Sequence, residues 1–332
     1  MPLISDPPPE DVLRDLRKLR DDLDQVIPAK SLDRNLLIAT WNIRAFGGLQ
    51  PKWKSDPEKE EPKRDMHALH AIAEIIARFD VVALQEVKGD HTSLRALLQI
   101  LGPDWGVLLS DATRGDPGNQ ERMAFIFDSR QVLLSGLACE LVLAEEQLEA
   151  LRGLGGGKQF ARTPYAVGFR SRVTDQYFTL VTLHILWGST VGERLPELKA
   201  IADWLLEWVK VKHAWDTNLI VLGDFNISSK NSSTFKAFTS TGLHIPERFF
   251  ELPRTIDQKA GEPLRLYDQI AWFSGQGEEP DGAPGLELNF ASCGNYEFSR
   301  ATLASKKLSR DDLSWYLSDH YPLWVEFSLR DE

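Results

Sequence analysis

Two cysteines, Cys139 and Cys293, are all that the chain carries. One bridge is the most they could form, so a disulfide framework is excluded. Thiols so far apart in sequence read as buried apolar groups of a reducing compartment. No run approaches the roughly 18 consecutive apolar residues of a transmembrane helix. The opening MPLISDPPPEDV has neither the basic nor the apolar stretch of a secretory signal. Together these absences lead us to expect a soluble cytoplasmic protein with no membrane insertion. Several catalytic motifs are missing too: a GxxxxGK[ST] phosphate loop, an HExxH pair and a G-x-S-x-G elbow. Gly155-Gly156-Gly157 before Lys158 matches no nucleotide fingerprint and reads as a flexible loop. Positive charge is short as well, with 38 Lys and Arg against 49 Asp and Glu, a net charge of −11. That argues against a sequence-tolerant DNA-coating protein, because phosphate neutralisation supplies most non-specific affinity. It does not exclude an enzyme acting on phosphodiesters, whose metal-binding carboxylates add negative charge that the ion offsets locally. It predicts that a nucleic acid partner is bound weakly.

What is present is ample apolar material. Ten Trp and sixteen Phe in 332 residues, 42 % of them apolar, suffice for a large core without disulfide help. The length admits one or two domains. Residues 1–35 stand apart as an N-terminal extension. After Pro7-Pro8-Pro9, the residues Val12, Leu16, Leu19, Leu23 and Val26 recur at steps of four and three, and Pro28 ends the pattern. This predicts an amphipathic helix with a narrow seam, either packed on the main domain or pairing two copies into a homo-oligomer. The first reading is preferred, because two heptads make a short coil.

From residue 36 to 332 the pattern is that of one α/β domain. Strand candidates are Leu36–Trp41, Val81–Leu84, Met123–Phe127, Tyr165–Phe169, Phe178–Leu183, Leu219–Leu222, Tyr267–Phe273 and Pro322–Phe327. Met66–Arg78 and Gly192–Lys212 read as helices. The charged stretch Gly47–Asp65 and the Gly/Pro/acid-rich Gly275–Gly285 read as solvated loops.

The informative polar residues sit at strand ends. Ile38-Ala39-Thr40-Trp41 runs into Asn42, Val81–Leu84 into Gln85-Glu86, and Thr179–Leu183 into His184. Leu219–Leu222 runs into Gly223-Asp224-Phe225-Asn226, Asp268 opens a strand, and Ser318-Asp319-His320 precedes the last one. Singly, such a residue is usually a turn former. As a set they are the residue types that hold a metal and a phosphate. Oxygen ligands without a Cys/His cluster suit a hard cation, Mg²⁺ or Mn²⁺, rather than zinc.

In this order the motifs IATWNIRAFGG, VVALQEVKGDH, LVTLHILWG, LIVLGDFN, YDQIAW and SDHYPLWVEF resemble those of the endonuclease/exonuclease/phosphatase superfamily, from about Leu36 to Leu329. The resemblance is nearest to DNase I-like nucleases, through Asn42-Ile43-Arg44 with the following Phe-Gly, Gln85-Glu86-Val87 before a basic residue, and Glu121-Arg122 entering an apolar strand. It implies a four-layer sandwich of two packed mixed β-sheets flanked by helices. It also implies roles. Glu86 is then the principal metal ligand, with Asn42 and Asp319 close to the same ion. Asp224 and Asn226 position the attacking water and the scissile phosphate. His184 and His320 flank that phosphate, oriented by Glu121 and Asp268 respectively. Arg44, Lys88 and Arg162 fall where such nucleases contact phosphates. A carboxylate fixes the tautomer of its imidazole, and a metal on a non-bridging oxygen stabilises transition-state charge, so the set is chemically coherent.

Two positions depart from the pattern. Asn119 stands where DNase I-like nucleases carry a minor-groove tyrosine, and Lys88 replaces an arginine and with it bidentate phosphate geometry. Arg300, Lys306, Lys307 and Arg310 lie just before Ser318-Asp319-His320 and are candidates for holding a polyanion, against a solvated helix face. The expectation is a metal-dependent phosphodiesterase, favouring an endonuclease on DNA or RNA. The alternatives are a phosphatase or lipid-headgroup phosphodiesterase of the same fold, and a non-catalytic binding module.

Overall fold

The computed structural model describes residues 6–112, 120–143, 145, 148–149, 160–185, 191–210, 218–274 and 286–329. In chain order these form α1 (Glu10–Val26), β1 (Asn35–Phe46), α2 (Met66–Ile76), β2 (Val81–Val87), α3 (Thr92–Leu101), β3 (Trp105–Leu109) and β4 (Arg122–Asp128). There follow β5 (Val132–Glu140), β6 (Tyr165–Ser171), β7 (Tyr177–His184), α4 (Val191–Lys210), β8 (Leu219–Ile227), α5 (Ser233–Thr239) and β9 (Leu243–His244). The last elements are β10 (Leu266–Phe273), β11 (Asn289–Asn295), α6 (Arg310–Tyr316) and β12 (Leu323–Ser328), with short 3-10 turns at Phe298–Arg300 and Ala304–Lys306.

The strands make two six-stranded sheets, ordered β11-β12-β1-β2-β4-β3 and β5-β6-β7-β8-β10-β9. Both are mixed. β1 and β2 run parallel in the first, β7 and β8 in the second, and their other pairings are antiparallel. This is the expected two-sheet sandwich flanked by helices.

Burial explains why the central strands are continuous apolar runs. Successive strand residues face opposite sides of a sheet. In β1 and β2, Leu36, Ile38, Val81 and Ala83 enter the core between the sheets, while Leu37, Ala39, Trp41, Val82 and Leu84 pack under the helices of the outer layer. With both faces covered, alternation disappears. Edge strands are different: β5 alternates between exposed and part-buried positions, and β3 is only part-buried along its length. β3, β5, β9 and β11 therefore escaped the apolar-run criterion, as did α3, α5 and α6.

The amphipathic helix is α1. Val12, Leu16, Leu19 and Leu23 are buried in the same core as α2, and of the seam only Val26 is exposed. Asp22 accepts a hydrogen bond from the Tyr296 hydroxyl at 2.8 Å, and Asp15 accepts one from the Ser305 amide at 2.8 Å. The packed arrangement is thus the one adopted, and the seam that a coil would use lies inside the molecule.

Gly47–Asp65 is not wholly a solvated excursion. Its end carries the buried Arg64, whose guanidinium donates to the carbonyls of Arg44, Ala45, Tyr316 and Leu317. Asp65 caps α2 by accepting from the Ala68 amide. Gly275–Gly285 and Gly155-Gly156-Gly157 lie outside the described residues.

Candidate active site

Topology brings the chemistry to one edge. The parallel pairs β1/β2 and β7/β8 deliver their C-terminal ends together, with Asn42 beside Gln85 and His184 beside Asp224. β10 runs antiparallel to β8 with Asp268 beside Asp224, and β12 runs antiparallel to β1, so the residues preceding it reach the same edge. Local backbone does the aiming. The β1/β2 register shifts after Asn42, and Ala45, Glu86 and Asn226 have φ of 45°, 62° and 50°. Left-handed backbone at non-glycine residues is uncommon and concentrates at functional sites. Gly223 (φ 147°) lets β7 and β8 approach closely just before Asp224, since a Cβ there would lie 2.1 Å from the Leu183 carbonyl oxygen.

Seven of the sequence-predicted residues line one cleft of about 290 Å³: Asn42, Glu86, His184, Asp224, Asn226, Asp319 and His320. Asp224 is the hub. Its Oδ2 accepts from Asn42 Nδ2 at 3.0 Å and lies 3.7 Å from His184 Nε2 and 4.0 Å from His320 Nε2. Its Oδ1 accepts from the Asn226 amide at 3.0 Å. Each imidazole turns its other nitrogen to a carboxylate behind it: His184 Nδ1 lies 3.1 Å from Glu121, and His320 Nδ1 lies 2.7 Å from Asp268.

The charges of these pairs are buried. Burial alone pulls the His320 pKa down, but Asp268, with help from Asp224 and Asp319, outweighs it and holds the imidazole well above its ordinary 6.5. Burial would raise Glu121, yet His184, Arg162 and Lys88 together hold it well below the usual carboxylate range. Arg162 Nε lies 2.7 Å and Lys88 Nζ 2.9 Å from that carboxylate.

The donor set fits a hard cation. Asn42 Oδ1 is buried and makes no hydrogen bond among the described residues, while its Nδ2 reaches Glu86 Oε1 at 3.3 Å. Glu86 Oε2 accepts from the Ala45 amide at 3.0 Å. Asn42, Glu86 and Asp319 can thus turn oxygen ligands toward a cation, the Asn42 Oδ1 being unsatisfied among the described residues, which suits a hard cation. Asp224, Asp268 and His320 also present potential ligand atoms within 4.8 Å of one another. There Asp268 Oδ2 is committed to His320 at 2.7 Å while its Oδ1 has no hydrogen-bond partner among the described residues, and we read this group as an oriented imidazole between carboxylates.

The basic residues are placed differently from the cleft residues. Arg44 stacks on Trp315, 3.8 Å from the ring centroid, and donates to Ser314. Lys88 and Arg162 converge on Glu121, which backs His184, and none of Arg44, Lys88 and Arg162 lines the cleft. Lys306 is a structural group, buried 2.5 Å from Asp65, and so does not hold a polyanion. Asn119 lies outside the described residues. Thr255, Asp257, Arg265 and Tyr267 complete the lining and went unassigned in the sequence, although Tyr267 directly precedes Asp268 in the YDQIAW motif. Arg254, fully buried, donates to the Asp268 carbonyl at 2.9 Å. A more apolar groove of about 590 Å³ elsewhere is lined by Leu141, Val142, Trp204 and Trp208 together with Cys139, Glu140 and Glu207.

A two-sheet sandwich with paired His–carboxylate groups around a central aspartate, beside an oxygen donor set, defines a class of phosphoester hydrolases. The sequence profile of the Endonuclease/Exonuclease/phosphatase family matches residues 39–320, and the chain belongs to that family as one of its hydrolases. It is 33 % identical over 208 residues to a deoxyribonuclease of Thioalkalivibrio sp., covering 61 % of this chain and 49 % of that protein. The chain thus spans about half of that relative. It is 26 % identical over 307 residues to deoxyribonuclease-1 of Bos taurus, covering 89 % of this chain and 93 % of that one. The mannosyl-6-phosphatase of Bacteroides thetaiotaomicron has the same fold, with a TM-score of 0.56 at 16 % identity over 88 % of this chain and 99 % of that one. Among the described residues no helix is long and apolar enough to cross a membrane.

Proposed function

We propose that this protein is a divalent-metal-dependent phosphodiesterase that cuts DNA or RNA strands internally by attack of an activated water. The observation that carries the reading is the position of Asp224, within 4.0 Å of two imidazoles that are each backed by a separate carboxylate. Phosphodiester hydrolysis needs a general base, charge neutralisation at phosphorus and help for the leaving oxygen. In this reading Asp224 orients the water and accepts its proton. Asn226, held by its Nδ2 bond to the Ile185 carbonyl at 2.8 Å, fixes the phosphate. His320, kept cationic by Asp268, counters the charge that grows on the phosphoryl oxygens. His184, fixed by Glu121, stands on the other side of Asp224 for proton transfer. Glu86, Asn42 and Asp319 would hold Mg²⁺ or Mn²⁺, which when bound supplies further charge stabilisation at a non-bridging oxygen.

A phosphatase is the second reading, since the same fold serves a sugar phosphatase. Nucleic acid is favoured by the deoxyribonuclease relatives and by Lys88 and Arg162 beside the Glu121 that backs His184. The test is a panel of plasmid, single-stranded DNA, RNA and p-nitrophenyl phosphate, each with Mg²⁺ and with EDTA. We expect internal cuts in nucleic acid that EDTA abolishes. Faster turnover of the monoester would replace this reading with the phosphatase, and no turnover of any substrate would favour a binding module.

A further inference from the structure

A second depression adjoins the catalytic cleft. Thr255 lines both and pairs through an isolated strand-like bridge with His320 of the catalytic cleft. The neighbouring groove encloses about 440 Å³. On its floor the Tyr321 and Ser299 hydroxyls lie 2.6 Å apart. Its walls carry cations from three separate segments: Lys259 from the loop before β10, Arg300 from the Phe298–Arg300 turn, and Arg310 from the start of α6. Arg300 and Arg310 are exposed, and both act on the buried Tyr321 hydroxyl. Burial is the larger influence and raises its pKa, while the Ser299 hydroxyl, and after it the two guanidiniums, pull it back. Arg300 lies 2.6 Å from Glu297 and Lys259 lies 3.9 Å from Glu262, whereas Arg310 has no ion pair among the described residues. Arg265, exposed, lines the catalytic cleft at the other end of the Lys259 loop.

We propose that this groove is a second phosphate subsite, which holds the backbone of a nucleic acid strand where it leaves the catalytic cleft over Thr255. This rests on the nuclease reading above and deepens it. Single strands are bound by positively charged grooves that track the backbone. Arg265 begins such a track inside the cleft, and Arg310 and Arg300 continue it beyond Thr255. Glu262 and Glu297 offset part of the charge, which keeps the subsite weak in a chain of net charge −11. The subsite therefore acts on substrates long enough to reach it and leaves the chemical step untouched.

The experiment compares wild type with an Arg300→Gln/Arg310→Gln double variant on two substrates, a single-stranded oligonucleotide and bis(p-nitrophenyl) phosphate, which is too small to leave the cleft. We expect KM for the oligonucleotide to rise about five- to tenfold with kcat unchanged, and the salt slope to fall by roughly one to two, since each phosphate contact contributes about 0.7 for single strands. The small diester should be turned over identically by both proteins. Both side chains are exposed, so the thermal midpoint should not move. Equal changes on both substrates, or no change on either, would overturn the subsite. If wild type hydrolyses neither, the phosphodiesterase reading fails. Fluorescence anisotropy of the labelled oligonucleotide in EDTA then decides the groove: weaker binding by the double variant supports it, and equal binding overturns it.

Discussion

At the scale of single residues, Glu86 and His320 make the sharpest demands. Glu86 supplies a carboxylate to the cleft from left-handed backbone, next to the Asn42 side-chain Oδ1, which has no hydrogen bond among the described residues. Glu86→Ala should abolish turnover while the protein stays folded, and calorimetry should show loss of Mg²⁺ binding. Unchanged affinity and turnover would remove Glu86 from the metal site. His320 titrates above 6.5 because buried carboxylates surround it. Its cationic form therefore persists below that raised pKa and is lost as pH rises through it. Asp268→Asn removes the nearest negative charge, so the transition should move to lower pH. NMR titration of the His320 ring in the metal-free protein would show this directly, and an unmoved midpoint would deny Asp268 its role. His184→Ala and His320→Ala should each lose about 10²–10⁴-fold in kcat, and the double variant less than the product of the two, because the residues act as a unit.

At the scale of elements, the close approach of β7 to β8 depends on one glycine. Gly223→Ala would put a methyl group 2.1 Å from the Leu183 carbonyl oxygen and a side chain on backbone of φ 147°. Strain and overpacking each cost about 1–3 kcal/mol, so the thermal midpoint should fall by several degrees and activity with it. The buried Lys306–Asp65 pair ties the last 3-10 turn to the start of α2. Breaking a buried pair by removing one partner costs about 3–5 kcal/mol, so Lys306→Met should lower stability in urea. It should leave KM of the surviving enzyme unchanged, and a raised KM at full stability would return Lys306 to substrate binding. Lys306 also marks where the sequence stops being legible. A lysine in a basic stretch looks the same whether it meets solvent, a phosphate or a buried Asp65 some 241 residues away. Strand ends were readable for the opposite reason: β1, β2, β7 and β8 are covered on both faces, so each is a largely apolar run, with a few internally paired polar residues such as Thr40 and Thr182, that ends where side chains enter the cleft. Arg64 and Arg254 gave no signal, because their partners are backbone carbonyls brought together only by the fold.

At the scale of the whole molecule, two sheets and their parallel central pairs bring residues from Asn42 to His320 to one edge. The net charge of −11 gives no broad attractive field, so on the proposed reading nucleic acid binding rests on a few cations near the cleft and should weaken with salt. The most direct measurement is kcat/KM on a single-stranded oligonucleotide in Mg²⁺ for wild type and Asp224→Asn, with circular dichroism to check the fold. Asp224→Asn keeps the shape of the side chain at the centre of the cleft and removes its charge. A loss of at least about 10³-fold with an unchanged spectrum is what a site built around Asp224 predicts. An Asp224→Asn protein that cuts the oligonucleotide at a rate near wild type would contradict it.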